Sequence, residues 1–355
     1  MKKILFILPV LLIFFFINSV YAISLDKKAG QMLIIGFNGD NINSPEFQKV
    51  LKYLKKGDIS GVILFSKNIK SKEDLILMNE KILSSNKITP FIAIDNEGGY
   101  IQRYDFEPVK SAKRVSLLKD EEITKEYSKM ADLERTLKIN FNFAPCVDLE
   151  LNKESIIAQN ERSYGVDYNK VINCAKIFIK EHNKRKIITS IKHFPGHGSI
   201  KGDTHKGFVD ASETFTKDEI EPYIGLKDFD KLNTVMISHI YNSKFDEKYP
   251  ASLSKKTIKD LLIKKIGFRG VIVSDDYDMG AIRKNYSLDE IIVNSINSGV
   301  NILLFSNNIE GLDDDLVEEY HKIIKRELKK GTINKKDINN SYKKIIKLKN
   351  SLLEK

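Results

Sequence analysis

Residues 270–276 read GVIVSDD, an apolar, β-branched run that ends abruptly in two carboxylates. A continuous run of this kind predicts a strand that is covered on both faces. Seven further runs of the same character lie along the chain, and stretches with helical periodicity separate them. The eight predicted strands cover residues 31–37, 61–65, 91–95, 140–145, 187–193, 234–239, 270–275 and 301–306.

Repeated strand–helix alternation predicts the α/β class and a parallel sheet closed as a single (β/α)8 TIM barrel. An open, doubly wound sheet is the alternative, but it usually has fewer strands and a glycine-rich first turn, which this sequence lacks. Helices are predicted at residues 45–54, with Ser44 as N-cap and Pro45 in the first turn, and at residues 168–183. The charged segment 316–355 is predicted to be helical and to pack on the barrel exterior.

The first 22 residues have a different character from the rest. Lys2 and Lys3 precede an apolar run at residues 4–17, and Val20-Tyr21-Ala22 resembles a cleavage site. We predict a signal peptide at residues 1–22, a catalytic domain at 23–355, and export to the periplasm or medium. The apolar run is shorter than the roughly 20 residues of a membrane span, so we expect no stable span after cleavage. An uncleaved N-terminal anchor is the alternative.

The net charge of the 355-residue chain is +10, and removal of Lys2 and Lys3 leaves +8. A basic surface can attract an anionic polymer, but lysine is abundant along the whole sequence. We therefore predict a dispersed basic excess, no nucleic-acid binding and a monomer. Cys146 lies in an apolar run and Cys174 on a predicted helix, so we expect two separate buried thiols.

Charged and polar residues collect at the carboxyl ends of the predicted strands, where barrel enzymes carry their active sites. They are Asp95 after the third strand, Lys192 and His193 at the end of the fifth, His239 after the sixth and Asp275 at the tip of the seventh. A carboxylate fixed on a rigid strand can attack an anomeric carbon, so Asp275 is the candidate nucleophile.

The residues that follow Asp275 have a structural interpretation. Strand alternation turns Asp276 away from the barrel mouth. We expect Asp276 or Asp278 to be the N-cap of the next helix.

The segment after the fifth strand reads KHFPGHG at 192–198 and DTH at 203–205, and glycines recur at 196, 198, 202 and 207. The glycines predict a flexible loop over the mouth. Asp203 and His205 are two residues apart, so an extended backbone places both side chains on one side. The carboxylate can then orient the imidazole as a general acid/base.

The histidines of this loop allow other interpretations. His193, His197, Asp203 and His205 are plausible metal ligands, but Pro195 breaks any helix that would carry such a site. We predict no metal and no cofactor. His197 is as well explained as a solvated loop histidine.

The loops after the third and fourth predicted strands each contain an arginine. FIAIDNEGGYIQRY at 91–104 contains a Gly98-Gly99 turn that can bring Arg103 back toward Asp95 at the mouth, although a structural turn with an ion pair explains the motif equally well. Arg162 lies in NERSY at 160–164, after the fourth strand, and by itself is typical of a solvated loop residue.

Together these segments resemble glycoside hydrolase family 3, in its β-N-acetylhexosaminidase branch. The matching motifs are GVILFSKN at 61–68, AIDNEGG at 93–99, NFAPCVD at 142–148, ERS at 161–163, KHFPGHG at 192–198, DTH at 203–205, PASLS at 250–254 and SDD at 274–276. The combination of KHFPGHG with D-x-H is specific to that branch, since other branches use a glutamate from a second domain as acid/base.

The resemblance implies a retaining β-N-acetylhexosaminidase that hydrolyses terminal β-linked N-acetylglucosamine from peptidoglycan fragments or related glycans. It implies Asp275 as nucleophile and His205 as acid/base, oriented by Asp203. It further implies sugar contacts from Asp95, Arg103, Arg162, Lys192 and His193. The sequence departs from the family at Asn96, Tyr100 and Thr204, which leaves the catalytic assignment intact.

Two alternatives remain open at this point. A neutral histidine would also let phosphate attack the intermediate, which would make the protein a β-N-acetylglucosaminide phosphorylase. A non-catalytic protein that binds cell-wall glycans is the alternative from another class, although such proteins usually lose the nucleophile or the acid/base.

Overall fold

The computed structural model describes residues 23–204, 207–229, 232–307 and 315–352. Eight parallel strands form a closed barrel in sequence order, and β1 pairs with β8 to complete it. The strands are β1 Leu33–Ile35, β2 Gly61–Leu64, β3 Phe91–Ile94, β4 Phe141–Asn142, β5 Ile188–Phe194, β6 Thr234–Ile237, β7 Val271–Asp276 and β8 Ile302–Phe305. The predicted fold class is confirmed, and each strand lies within or overlaps its predicted range.

Helices follow the strands and surround the barrel. They are α1 Leu25–Gly30, α2 Pro45–Lys56, α3 Lys72–Leu83, α4 Ala112–Val115, α5 Asp120–Thr136, α6 Ile156–Gln159, α7 Tyr168–Lys184, α8 Glu221–Leu226, α9 Lys256–Ile266, α10 Gly280–Arg283, α11 Leu288–Ser298, α12 Leu316–Lys330 and α13 Lys335–Ser351. Short 3₁₀ turns cover Ser66–Asn68, Lys217–Ile220 and Ala251–Leu253. Helix α9 is wound as a π-helix.

The start of α2 agrees with its sequence signals. The Ser44 side chain accepts a hydrogen bond from the Phe47 amide, and Pro45 occupies the first turn. Gly57 ends the helix with a φ of +71°, a left-handed conformation that suits glycine. These signals set the path from β1 to β2.

The barrel interior is filled by strand side chains, as the continuous apolar runs require. The rings of Phe91, Phe141 and Phe143 interlock, with centroids 5.2 Å apart for the first pair and 4.7 Å for the second. Cys146 and Cys174 are buried free thiols, as predicted.

Helix α13 covers the amino-terminal end of the barrel. Lys344 Nζ donates to the carbonyl of Gly270 (2.9 Å), which precedes β7, and Lys349 Nζ donates to that of Ser60 (2.8 Å), which precedes β2. Asn301, just before β8, donates to Ser341 on α13 (3.0 Å). The predicted exterior packing of the C-terminal segment is confirmed, and the carboxyl ends of the strands are left for the functional site.

Two further points concern the sequence predictions. No helix among the described residues is long and apolar enough to cross a membrane. The predicted signal peptide at residues 1–22 lies outside the described part of the chain.

Candidate active site

A cavity of about 180 Å³ opens at the carboxyl ends of the strands. Its lining residues come from four strand ends and their loops: Asp95, Ile101, Arg103, Ile156, Arg162, Lys192, His193, His197, Asp203, Thr204 and Asp275. Seven of the eight residues predicted for catalysis or sugar binding thus meet around one cavity. The eighth, His205, lies outside the described residues.

Lys192, at the end of β5, is held between two carboxylates. Its Nζ lies 2.7 Å from Asp95 Oδ1 and 2.8 Å from Glu97 Oε1, and only 2% of its side chain is exposed. Burial alone would lower the pKa of Lys192, but the two carboxylates outweigh it and raise that pKa. The ammonium group therefore stays charged.

Glu97 also binds Arg162 in a two-pronged ion pair. Its Oε2 accepts from Arg162 Nε (2.9 Å) and its Oε1 from Nη2 (2.7 Å), the strongest geometry for such a pair. Burial opposes ionisation of Glu97, but Arg162 and Lys192 overcome it and hold the pKa of this carboxyl well below its ordinary value. Glu97 thus joins the tip of β3 to the β4 loop and the tip of β5.

Asp95 completes this cluster on the cavity side. Its Oδ2 lies 3.5 Å from Arg103 Nη2, and the guanidinium of Arg103 lies over the Phe65 ring, 5.4 Å from its centroid. Lys192 and Arg103 outweigh burial and lower the pKa of Asp95. The cavity wall therefore presents an ionised carboxylate and two cations, groups that accept from and donate to sugar hydroxyls.

The turn that brings Arg103 back depends on two glycines. Gly98 and Gly99 have φ angles of +88° and +61°. A Cβ at Gly98 would lie 2.4 Å from the carbonyl oxygen of Lys110, and one at Gly99 would lie 2.5 Å from Cβ of Ser111. The left-handed backbone conformation and the close packing thus both exclude larger residues at these two positions.

His193 is fixed by contacts to both ring nitrogens. Nδ1 lies 2.7 Å from Asp148 Oδ2, and Nε2 lies 3.1 Å from Arg162 Nη2. A guanidinium can only donate, so Nε2 accepts and the proton sits on Nδ1, where it is donated to Asp148. Asp148 is fully enclosed; burial opposes its charge, but His193 prevails and lowers its pKa.

Cys146, Asp148 and His193 bring potential metal-ligand atoms within 4.8 Å of one another. Hydrogen bonds explain this arrangement: Cys146 Sγ donates to Asp148 Oδ2 at 3.3 Å. Burial raises the pKa of the Cys146 thiol, so it stays protonated, and the cation of Arg162 contacts the His193 ring. These conditions disfavour a bound metal, and the cluster instead orients His193.

His197 is buried, so its interpretation as a solvated loop histidine was wrong. Only 4% of the residue is exposed, and its backbone amide donates to Asp148 (2.9 Å). Burial and the neighbouring His193 lower the pKa of His197 to about 4, so the ring is neutral near pH 7. It lines the cavity as an uncharged polar group.

The glycine-rich loop is anchored more firmly at its start than its composition suggested. Glu219 Oε2 accepts from the amides of Gly198 (3.0 Å) and Ser199 (3.2 Å). A Cβ at Gly196 would lie 2.5 Å from Cβ of Glu219, and one at Gly198 would lie 1.7 Å from the Leu149 carbonyl oxygen. At these two positions glycine permits close packing, so the expectation of flexibility there was wrong.

Further along, the loop contacts the element that follows β7. The amide of Ala281, on α10, donates to the carbonyl of Thr204 (3.1 Å). This contact brings Asp203 and Thr204 to the cavity that Asp275 lines.

The helix-capping interpretation of Asp276 and Asp278 was wrong. Helix α10 begins after Met279, and no side chain among the described residues caps it. Asp276 Oδ1 accepts from the amide of Ser306 (2.8 Å), and Asp278 Oδ2 accepts from that of Asn307 (2.8 Å). Both carboxylates face the end of β8, where they hold backbone amides in place. Asp275 instead lines the cavity.

His239 also has a supporting position. Its ring contacts the Ser252 hydroxyl and the carbonyl of Asp276, each at 2.8 Å, and stacks on Tyr277. It therefore packs behind the tip of β7 and steadies the backbone next to Asp275.

Glu97 and Asp148 were not predicted as site residues, although both lie in quoted motifs. Glu97 follows Asp95 by two positions, and Asp148 comes soon after β4. The available signal was that each is an acidic residue near a strand end. The sequence does not reveal their partners, because these partners lie on or after other strands.

Comparisons with known proteins identify the family of this chain. Residues 24–348 match the family model described as glycosyl hydrolase family 3 N terminal domain. The chain belongs to glycoside hydrolase family 3. A β-hexosaminidase of Haemophilus influenzae is 30% identical over 292 residues, which cover 79% of this chain and 80% of the relative. An uncharacterized secreted glycosyl hydrolase of Arthroderma benhamiae is 27% identical, covering 93% and 95% of the two chains.

A solved structure with the same fold is a family 3 β-N-acetylglucosaminidase from Paenibacillus. It has a TM-score of 0.85 and 24% identity; the match covers 94% of this chain but only 63% of that one. The predicted family, its β-N-acetylhexosaminidase branch and the corresponding enzyme class are confirmed by these comparisons. The roles assigned to individual residues stay predictions.

The position of Glu97 leads to a first prediction. In a Glu97→Gln variant, Arg162 and Lys192 lose a shared charged acceptor, whose hydrogen bonds are typically worth about 1.5–3 kcal/mol each. We expect kcat/KM for an aryl N-acetylglucosaminide to fall roughly 10- to 100-fold, in line with such energies.

Glu181→Gln is the matched control for that variant. Glu181 is also buried and ion-paired, to Lys184 and Arg185 on the outside of the barrel. We expect its substitution to lower the melting temperature but leave kcat/KM unchanged. Equal losses of kcat/KM in both variants, or none in Glu97→Gln, would contradict the positioning role.

Asp276 leads to a prediction about pH. Burial, together with the charge of Asp278, raises the pKa of Asp276 to about 7. A raised folded-state pKa means that protonation favours the fold at low pH and that this stabilisation is lost as pH rises through about 7. The Asp276→Asn variant keeps the oxygen acceptor but cannot become charged. We expect its gain in melting temperature over wild type to be roughly 2–4 °C larger at pH 8.5 than at pH 5.5, which corresponds to about 1 kcal/mol of unfolding free energy. A difference of the opposite sign would refute the assignment.

Proposed function

We propose that this protein is an exported, retaining β-N-acetylhexosaminidase that releases terminal β-linked N-acetylglucosamine from peptidoglycan fragments or related glycans. One observation carries the proposal: Asp275 faces the same small cavity as the ion-paired Asp95, Arg103 and Lys192. The cavity volume of about 180 Å³ lies below the range of roughly 300–1,000 Å³ for pockets that hold drug-sized ligands. A space of this size suits a single sugar ring.

In the proposed first step, Asp275 attacks the anomeric carbon and forms a covalent glycosyl-enzyme. His205 gives its proton to the leaving oxygen, and Asp203 stabilises the charged imidazole. In the second step His205 takes a proton from water, which displaces Asp275 with a second inversion and so retains the anomeric configuration.

The surrounding residues suit the task of holding the sugar. Arg162 and Lys192 stay charged in a buried setting, and His193 keeps one tautomer. Groups that are fixed before the substrate arrives lose little freedom on binding, which favours a defined ring orientation. We assign Asp95, Arg103, Arg162, Lys192 and His193 to this role.

The predicted leader supports an extracytoplasmic substrate. Residues 1–22 have a basic start, an apolar run and a cleavage-like end, and one relative is named a secreted glycosyl hydrolase. We infer that residues 23–355 form one catalytic domain that meets wall glycans outside the cytoplasm. Hydrolysis suits that compartment better than phosphorolysis, because a sugar phosphate formed there is not readily imported.

The central test uses the nucleophile. We expect Asp275→Asn to lower kcat on an aryl N-acetylglucosaminide by at least about 10⁴-fold, since loss of the attacking group removes the covalent path. Mass spectrometry of wild-type enzyme quenched during turnover should find the sugar on the peptide that contains Asp275. Proton NMR should first detect the β-anomer of free N-acetylglucosamine.

Three results of that experiment would contradict the proposal: full activity of Asp275→Asn, initial release of the α-anomer, or a sugar 1-phosphate that forms when phosphate is added. Asp276→Asn is the control, because it changes the adjacent carboxylate, which faces β8, and should keep substantial activity.

The leader gives a separate prediction. When the full chain is expressed in a bacterial host, we expect the mature protein in the periplasm or medium to begin at Ile23, after cleavage that follows Ala22. N-terminal sequencing of that fraction tests this, and an intact Met1 on membrane-bound protein would support the uncleaved anchor instead.

A further inference from the structure

The basic excess is dispersed in the sequence but concentrated on one side of the fold. Helices α1, α2, α12 and α13 carry 17 Lys or Arg and 6 Asp or Glu, a net charge of +11. The remainder of the chain from residue 23 onward carries a net charge of −3. The expectation of an evenly spread charge was therefore wrong.

These four helices lie together at and beside the amino-terminal end of the barrel. The Tyr320 hydroxyl on α12 donates to the carbonyl of Ala29 on α1 (3.0 Å), and the Tyr53 hydroxyl on α2 donates to Glu318 on α12 (2.7 Å). Lys28 on α1 donates to Asn339 on α13 (2.8 Å). The barrel mouth and its cavity lie at the opposite end.

A groove of about 860 Å³ runs between these helices. Apolar side chains form part of its wall: Leu25 and Leu328 are partly exposed, and Val317 and Ile324 are buried. Five lysines also line it, and all are exposed: Lys56, Lys322, Lys325, Lys329 and Lys335. Apolar surface with a rim of lysines is typical of sites that contact both the head groups and the acyl region of a lipid layer.

The acidic residues of the groove are engaged within the protein. Asp26 contacts His321 Nδ1 (2.8 Å), Asp58 forms an ion pair with Lys27, and Glu318 accepts from Tyr53. Asp58 has a lysine as its partner, whereas Glu318, which accepts from a neutral hydroxyl, keeps its full negative charge. Five lysines and three carboxylates line the groove, so its lining has a net charge of +2 (5 − 3).

The sequence indicates why this face would meet a membrane. Residue 23 leads directly into α1, and the segment before it contains Lys2, Lys3 and the apolar run at 4–17. Whatever happens to that segment later, it joins the domain beside this groove during export. A hydrophilic wall polymer would match the lysines but not the apolar wall.

We propose that the surface formed by α1, α2, α12 and α13 binds the face of an anionic phospholipid bilayer and orients the barrel mouth away from it. The lysines supply long-range attraction, and the apolar groove wall contacts lipid where the head groups part. This docking is peripheral and does not depend on the proposed glycosidase activity. It would hold an exported enzyme at the membrane with its cavity facing the wall.

The test uses the chain from residue 23 onward, which contains every element of the closed barrel. Binding to vesicles is measured by sedimentation, with phosphatidylcholine alone and with an equal share of phosphatidylglycerol. We expect binding to the anionic vesicles only, and we expect high salt to weaken it because salt screens exposed charges.

Charge reversal tests the surface itself. A lysine near an anionic bilayer typically strengthens binding about fivefold. The triple variant Lys56→Glu, Lys325→Glu and Lys329→Glu loses three lysines and gains three negative charges, so it should bind at least roughly 100-fold more weakly. The matched control reverses three exposed lysines on other outer helices: Lys81, Lys125 and Lys180. It has the same net charge and should bind anionic vesicles within about threefold of wild type.

Hydrolysis of a soluble aryl N-acetylglucosaminide and the melting temperature verify that both triple variants are folded. If the glutamate variant does not fold, the glutamine version of the same three sites replaces it, with an expected loss of roughly 100-fold for three lost lysines. Equal binding to neutral vesicles, equal losses in the control variant, or binding to soluble polyphosphate without binding to vesicles would overturn the proposal.

Discussion

The candidate site depends on the ion pairs that the buried carboxylate of Glu97 forms with Arg162 and Lys192. The two cations arrive from different strand ends. Taking such charges out of water is expensive, and the cost is offset only when each has close, well-directed partners. If Glu97 were absent, Arg162 would lose its carboxylate partner and Lys192 would keep only Asp95. The ion network therefore constrains how the β3, β4 and β5 ends pack, and the packed barrel in turn keeps the network dry.

The same environment divides the acidic residues into two groups. Asp95, Glu97 and Asp148 have cationic or strongly donating neighbours, and their pKa values lie below the ordinary range. Asp276 has Asp278 as a neighbour, and its pKa is raised. Asp275 and Asp276 are adjacent in sequence but face different surroundings, since one lines the cavity and the other holds the amide of Ser306. Strand alternation separates the two roles.

The fold was predictable because its signals are local. Apolar runs mark the strands, and Ser44, Pro45 and Gly57 mark a helix start and end within a few residues of each other. The site was predictable only in part. Its residues stand at strand ends, which the sequence reveals, but the partner of each charge depends on distances across the barrel. Glu97 and Asp148 were missed for this reason, and Gly196 and Gly198 were misinterpreted because close packing against Glu219 and Leu149 is a tertiary feature.

Barrel closure explains both the site and the charge asymmetry. Pairing of β1 with β8 brings the first and last helices together, so lysines almost 300 residues apart in sequence share one surface. At the other end, closure gathers side chains from strand tips around a single cavity. At the carboxyl end of the barrel, charges lie in buried ion pairs, and the distances within each pair determine the protonation state of its members. The other end presents positive charges to solvent, where long-range attraction acts. A charge at the first end is useful because it is fixed, and a charge at the second because it is accessible.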